Sequence, residues 1–434
     1  MAWALAFVDT LLSLFTEKSI ARHARGRRLR ALCQPKPIVR KHDQECSSMR
    51  TCLFGLVAIL ALSARPPAAR ADGRDGVPEL DHVFVIVLEN HNSFTSFGSN
   101  GILDNPMAPK ITELAKTYNV APNYHGVWHP SLPNYVAMIT GDWTGTDVVG
   151  TGHLYPAGST VGVSDDDSPS VAIDYGPPAN ASSHRWRVNL PSLAGQLIEA
   201  GKDWRAYLQN IPESGTHLAN WPGDNNDGKL YAVKHNPFPY VAEIQDDPKQ
   251  FAKQVPLEQL FSDLGTRKVP ELSYIVPDQC RDMHGLGNPL APCGGASDTD
   301  DNDVKRGDDE TSWLVNAIMG SPVWHQGRNA IFVVFDEGNG PLTCPDYDPD
   351  HGAGTAPGSL LPAAGCYDPA NFNDRVVLIA ITNYGVKGVQ DARFQSHYSL
   401  LKTIEAAFDL SYLGHAADQT TNTLAPLLAP THRE

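Results

Sequence analysis

Two seven-residue runs constrain this chain more than anything else in it: HVFVIVL at His82–Leu88 and NAIFVVF at Asn329–Phe335. Neither alternates polar with apolar residues, so neither can turn one face to water. Continuous β-branched and aromatic runs of this length are strands covered on both faces, as in parallel sheets flanked by helices. Both stop on acidic or amide pairs, Glu89-Asn90 and Asp336-Glu337. Shorter runs at Trp204–Leu208, Leu272–Val276 and Arg375–Thr382 read as further strands, the second ending in Pro277-Asp278. Helical patterns lie between them: Met107–Tyr118, with Ile111, Leu114, Ala115 and Tyr118 on one face; Leu190–Ala200, closed by Gly201; and Ser399–Leu410. Strands alternating with helices predict a three-layer α/β/α sandwich with a mostly parallel central sheet, whose ligands bind at the carboxyl ends of the strands.

Residues 1–71 follow a different logic. Met49 opens a segment with Arg50 as positive n-region, Leu53–Leu62 as apolar core and Ala69-Arg70-Ala71 as an A-x-A cleavage site, so 49–71 read as a signal peptide. The apolar core is too short for a membrane span, so no stable anchor is expected. Residues 1–48, with an apolar patch at Trp3–Phe15 and an Arg-rich run at Arg22–Arg30, read as a non-native or disordered upstream extension, with Met49 the true start. From Asp72 to Glu434 there is no repeat and no linker, which predicts a single domain in a secreted or periplasmic protein. A hydrophobic content of 41% supports a sizeable core, and 36 Gly and 34 Pro imply many turns.

Losing residues 1–71 removes 12 Lys and Arg but only 4 Asp and Glu, which takes the net charge from −15 to −23. Such a surface repels polyanions and anionic lipid, so no nucleic-acid partner is expected. Nothing predicts a protein partner either. Four cysteines remain, as two nearby pairs: Cys280 with Cys293, and Cys344 with Cys366. In an exported chain this points to two local disulfides, and a four-thiolate zinc site would need C-x₂-C spacing that is absent.

The chemistry gathers around Ser131, in YHGVWHPSLPNY at Tyr124–Tyr135. Pro130 biases His129 towards an extended backbone, and Ser is a favoured N-cap for the apolar helix Leu132–Ile139. The hydroxyl then stands where backbone amides and the positive end of a helix converge, a place suited to phosphate. Alone, Ser131 reads more readily as a helix cap. Glu89, Asn90, Asp336 and Glu337 would repel one another at one sheet edge unless a cation intervened, and they offer hard oxygen ligands for a divalent ion; alternatively they simply end strands at solvent. His129 lies two residues before Ser131, Asp282-Met283-His284 follows the Leu272 strand, Lys234-His235 could reach phosphate oxygens, and His397 precedes the closing helix. Each histidine taken singly could be a packed one. The acidic run Asp298–Asp303 lacks the Gly and Glu of a calcium loop and reads as solvated, with Asp308 and Asp309 favouring the start of the helix through Trp313. The Gly- and Asp-rich excursion Gly141–Arg187 either shapes a site or stays disordered.

ENHNSF at Glu89, HPSLPNY at His129, KHNPF at Lys234, DMHG at Asp282, FDEG at Phe335 and SHYSLLKTIE at Ser396 recur in this order. Together, over roughly residues 80–412, they resemble the secreted phosphoesterase family of acid phosphatases and phospholipase C enzymes within the alkaline phosphatase superfamily. The resemblance implies that Ser131 is a nucleophile that becomes phosphorylated. It implies that Glu89, Asn90, Ser131, Asp336 and Glu337 hold one divalent metal ion of open identity; ligands for a second are not identifiable. It makes His284 and His129 catalytic, and sets Asn90, Lys234, His235, Asp282 and His397 against the substrate. The expected function is a metal-dependent acid phosphatase acting on a small phosphorylated substrate or a phospholipid headgroup. The alternatives are a phospholipase C-type phosphodiesterase and a non-catalytic surface binding protein. The reading requires the Ser131 hydroxyl to meet both acidic strand tips and to be reachable from solvent.

Overall fold

The computed structural model describes residues 74–97, 100–127, 131–142, 188–218, 220–222, 229–286, 293, 301–338 and 375–430. The signal segment, His129, all but the first two residues of the Gly141–Arg187 excursion, and the Cys344–Cys366 pair lie outside them. In chain order the strands are β1 His82–Leu88, β2 Asn119–Val120, β3 Tyr124–His125, β4 Trp204–Leu208, β5 Asn220–Trp221, β6 Tyr231–Ala232, β7 Gln254–Pro256, β8 Leu272–Val276, β9 Asn329–Phe335, β10 Arg375–Val376, β11 Leu378–Thr382 and β12 Gln395–Ser396. The α-helices are α1 Pro109–Thr117, α2 Ser131–Thr140, α3 Leu193–Glu199, α4 Ala242–Gln245, α5 Pro248–Phe251, α6 Glu258–Thr266, α7 Asp301–Met319 and α8 His397–Ala407.

The central sheet has the order β2-β11-β9-β1-β8-β4-β7. Its five strands from β9 to β7 run parallel, and β11 is antiparallel to β9. From Val83 to Leu88 every β1 residue is buried, as is all of β9. Because alternate side chains point to opposite faces, both faces are covered, as the unbroken apolar runs require. Helices α2, α3 and α8 pack together, and α1 packs on α7. The result is the mixed α/β architecture with a mostly parallel central sheet that the strand–helix alternation predicts.

Register decides where the polar tips fall. Pairing of β1 with β9 runs from His82 opposite Asn329 to Leu88 opposite Phe335. Glu89 and Asp336 therefore leave the sheet side by side, tied by the Asp336 amide on the Leu88 carbonyl at 2.9 Å. A small second sheet, β10-β3-β12, stands beside this edge and carries Tyr124 and the approach to His397.

Several local expectations shift. The run Arg375–Thr382 is not one strand: Arg375–Val376 pairs with β3 in the small sheet, and only Leu378–Thr382 joins the main one. The closing helix starts at His397, two residues earlier than its apolar pattern, because Ser396 and Ser399 form a reciprocal cap. Asp301–Asp303 belong to α7 and not to a solvated loop. Asp308 serves another helix than its own: its carboxylate accepts from the Lys110 amide at 3.0 Å and the Ile111 amide at 2.7 Å. Those are orphan donors of α1, whose N-cap Ala108 makes no side-chain cap bond. Strand β7 and helix α6 went unread. The Cys280–Cys293 disulfide forms as the spacing predicts, with Cα atoms 5.4 Å apart. No helix among the described residues is long and apolar enough to cross a membrane.

Candidate active site

Ser131 is the first residue of α2, and its hydroxyl is turned to the acidic strand tips. It lies 2.8 Å from Glu89 Oε2 and 3.3 Å from Glu337 Oε1, so it can donate to either carboxylate. One turn further along the same face, Tyr135 donates to the other oxygen of Glu89 at 2.5 Å. Residues four apart on a helix project together, so α2 grips one carboxylate with two hydroxyls. Asn134 completes the arm, its Nδ2 donating to Glu337 Oε2 at 3.3 Å while its Oδ1 accepts from the Val127 amide at 2.8 Å.

Asn90 turns the chain away from Glu89 with φ of 55°, a left-handed conformation that Asn tolerates better than most residues. That turn aims the Asn90 amide at Asp336 Oδ1, 3.0 Å away. Asp336 Oδ2 is buried and makes no hydrogen bond of ordinary geometry. The loop after β8 supplies Asp282 and His284 on either side of Met283, whose φ of 82° is strained for a side chain of that size. Gly307 of α7 makes room for it: a Cβ there would stand 2.3 Å from Met283 Cγ. The loop is tied to β1 by the Glu89 amide, which donates to the Asp282 carbonyl at 2.8 Å.

Lys234 and His235 sit in a short turn after β6, both buried. His235 Nδ1 lies 2.9 Å from Asp282 Oδ2, and its Nε2 lies 3.2 Å from Glu89 Oε1. The imidazole stacks on Tyr135, with ring centres 5.5 Å apart and planes 7° off parallel. Lys234 Nζ is 3.0 Å from His284 Nε2. Burial, reinforced by Lys234 and His284, pushes the His235 pKa well below its ordinary value, which disfavours the imidazolium. Glu89, His235 and His284 bring three possible ligand atoms within 4.8 Å of one another, a candidate metal site.

The electrostatics of the edge are unbalanced. Glu89, Asp282 and Asp336 are fully buried and Glu337 is 5% exposed. Burial raises the pKa of Glu89 well above its ordinary value, and Asp336 adds to this; burial and then Glu337 do the same for Asp336; burial and then Glu89 for Asp282. Among the described residues, Lys234 is the cation that lowers Glu89 and Asp282. Carboxylates buried this deeply and this close together resist ionising at once unless positive charge is supplied. The donor set fits a divalent cation.

The structure thus brings together Glu89, Asn90, Ser131, Lys234, His235, Asp282, His284, Asp336 and Glu337. His129 lies outside the described residues. His397 stands apart from its expected role against the substrate. Its Nε2 is 2.5 Å from the Asp336 carbonyl and its Nδ1 is 2.9 Å from the Tyr124 hydroxyl. A carbonyl only accepts, so Nε2 carries the proton and Nδ1 accepts from Tyr124; both nitrogens are engaged in bracing the β9 tip. Tyr135, Asn134 and Tyr124 lie inside the segment singled out from the sequence but were not read as functional; the i, i+4 spacing of Ser131 and Tyr135 was the available signal. Ser131 is 1% exposed, so the hydroxyl meets both strand tips as required but is not open to solvent in this arrangement.

A mostly parallel α/β sheet with a buried seryl hydroxyl among carboxylates at its carboxyl edge defines the general class of site. Residues 89–411 match the Phosphoesterase family, and the chain belongs to that family. It is 22% identical over 292 residues to an acid phosphatase of Aspergillus fumigatus, a match covering 67% of this chain and 48% of that protein. It is also 22% identical to a phosphatidylinositol-3-phosphatase of Mycobacterium tuberculosis, covering 79% of this chain and 81% of that one. The chain thus spans about half the length of the Aspergillus relative. Among solved structures, a protein of the alkaline phosphatase superfamily from Vibrio parahaemolyticus matches at 12% identity and a TM-score of 0.44, over 83% of this chain and 73% of that one.

Proposed function

We propose that this protein is an exported, metal-dependent phosphomonoesterase that works through a phosphoserine at Ser131. The observation that carries the reading is the seryl hydroxyl held between Glu89 and Glu337 at a sheet edge where several carboxylates are buried together. Glu89, Asn90, Asp336 and Glu337 would hold the ion with Ser131. When bound, it would neutralise the carboxylates, stabilise the seryl alkoxide and polarise the phosphoryl group.

The chain's own residues do the rest. Helix α2 aims Ser131 Oγ, so that an ester phosphate is attacked without a search for orientation. The Oγ–P bond forms as the P–O bond to the alcohol breaks, and water later cleaves the phosphoserine to inorganic phosphate. Lys234 supplies fixed positive charge where the phosphoryl oxygens gather, since this chemistry depends mainly on positioning and charge neutralisation. His235 is held by Asp282 and stacked on Tyr135, so it orients the groups around it. His284 Nε2 instead accepts from the Lys234 ammonium and so holds that charge at the site.

Relatives named for acid phosphatase and phosphatidylinositol-3-phosphatase activity support a monoester substrate, either a small phosphorylated molecule or a phosphoinositide headgroup. The deciding experiment compares p-nitrophenyl phosphate with p-nitrophenyl phosphorylcholine across pH, with and without chelator. Faster turnover of the monoester, lost with chelator, is the expected result. Preference for the phosphorylcholine diester would transfer the protein to the phospholipase C type, and no turnover of either would leave a binding protein.

A further inference from the structure

We propose that Lys234 is the second cation of this site: its ammonium fills a position built for a metal ion by Glu89, His235 and His284, and so excludes one. The use of that charge rests on the phosphomonoesterase reading; the position itself rests on geometry.

Both imidazoles are prepared as ligands. His235 Nδ1 lies 2.9 Å from Asp282 Oδ2, and a carboxylate there holds the proton on Nδ1 and leaves the Nε2 lone pair bare. His284 Nδ1 lies 2.7 Å from the Gly285 carbonyl, which can only accept, so Nδ1 carries the proton and Nε2 is the accepting nitrogen. Outer partners of this type, a carboxylate on one histidine and a backbone carbonyl on the other, orient and strengthen metal-ligating histidines. The two Nε2 atoms and a Glu89 oxygen converge on one small space. Nε2 of His235 faces Glu89 Oε1 at 3.2 Å with no hydrogen bond between them, an arrangement of two lone-pair atoms that calls for a positive charge nearby.

Lys234 provides it. Its Nζ lies 3.0 Å from His284 Nε2, and its charge acts on both Glu89 and Asp282. The decisive point is stoichiometric. An imidazole nitrogen has one lone pair, which accepts a proton from Lys234 or binds a metal at about 2.0–2.1 Å, never both. Lys234 and a second ion therefore compete for His284. A charge carried on the chain cannot be diluted or chelated away, and it leaves the carboxylate site around Ser131 as the place for a dissociable ion.

The test counts ions on the full chain. Equilibrium dialysis against Zn²⁺ followed by elemental analysis would compare wild type, Lys234→Met and the double variant Lys234→Met/His284→Ala. Lys234→Met, similar in length but neutral, should bind one ion more per chain than wild type, and the double variant should lose that extra ion. A folded Lys234→Met with unchanged stoichiometry, or a wild type that loses an ion on His284→Ala, overturns the proposal. Co²⁺ titration of wild type alone gives a second readout that needs no variant. Weak bands typical of oxygen-rich coordination are expected, whereas a second equivalent with intense bands from imidazole-ligated, low-coordinate Co²⁺ would show a resident metal instead. Failure of the phosphatase reading would appear separately, as no turnover of p-nitrophenyl phosphate whatever the ion count.

Discussion

Two regions of this molecule bury carboxylates, and they treat them in opposite ways. Asp263, on α6 beside β4, is 3% exposed, yet it receives the Arg205 guanidinium, the Tyr207 hydroxyl at 2.8 Å and the Gln259 amide at 2.7 Å. Arg205 and Tyr207 alternate along β4 so that both reach one acid. At the carboxyl edge of the same sheet, Glu89, Asp282, Asp336 and Glu337 share hydroxyls, an amide and an imidazole, and among the described residues Lys234 is the cation that acts on Glu89 and Asp282. The first acid is finished by the fold. On the proposed reading the second group is completed by a bound cation, and that would be the physical difference between a structural ion pair and a site.

The largest expected break is Ser131→Ala. It should lower kcat for p-nitrophenyl phosphate by about 10³-fold or more, in line with the loss of a nucleophile, while the melting temperature stays close to wild type. Near-normal turnover would remove Ser131 from the chemistry. The two regions can then be set against each other. Asp336→Asn removes one of the crowded charges, so without metal it should raise stability by about 1–3 kcal/mol and abolish the thermal shift produced by divalent ion. Asp263→Ala should do the reverse, costing about 2–4 kcal/mol because Arg205 keeps its charge and loses its main partner. Equal destabilisation by both, measured by denaturant unfolding, would erase the distinction.

Tyr135→Phe deletes a single hydroxyl and keeps the stack on His235. A roughly 10- to 100-fold fall in kcat or in metal affinity, with KM little changed, is expected from freeing Glu89. A fall in stability alone would reduce Tyr135 to packing. Smallest at the site, but measurable in the fold, is the effect of Glu405 in α8. Burial pushes its pKa from 4.5 up to about 9, although it accepts from the Leu413 amide at 2.9 Å. The folded protein therefore holds a proton that the unfolded chain releases above pH 4.5. That contribution to stability is complete below the unfolded value and is lost as pH rises through about 9. Glu405→Gln should flatten this decline, leaving activity at the Ser131 site unchanged; an identical pH–stability curve in both proteins would contradict it.

Legibility followed the range of the interactions involved. The runs at His82–Leu88, Trp204–Leu208, Leu272–Val276 and Asn329–Phe335 were readable to the residue because an unbroken apolar stretch has few other fates. Their acidic ends were readable for the same reason, as polar groups placed where a parallel sheet presents its edge. Short β7 and the bent run at Arg375–Thr382 were not, since two or three residues carry no period and their pairing is set by distant neighbours.

Composition and local pattern alone therefore decided the layered fold, the acidic strand tips and the seryl helix start. Tertiary structure alone decided who meets whom. Tyr135 reaches Glu89 across 46 residues, Asp308 caps α1 across 197, and His397 braces Asp336 across 61 instead of facing a substrate. Those pairings depend on sheet register and on the rotation of each helix about its axis. Both are settled by packing against residues far away in the chain, and local propensity does not encode them.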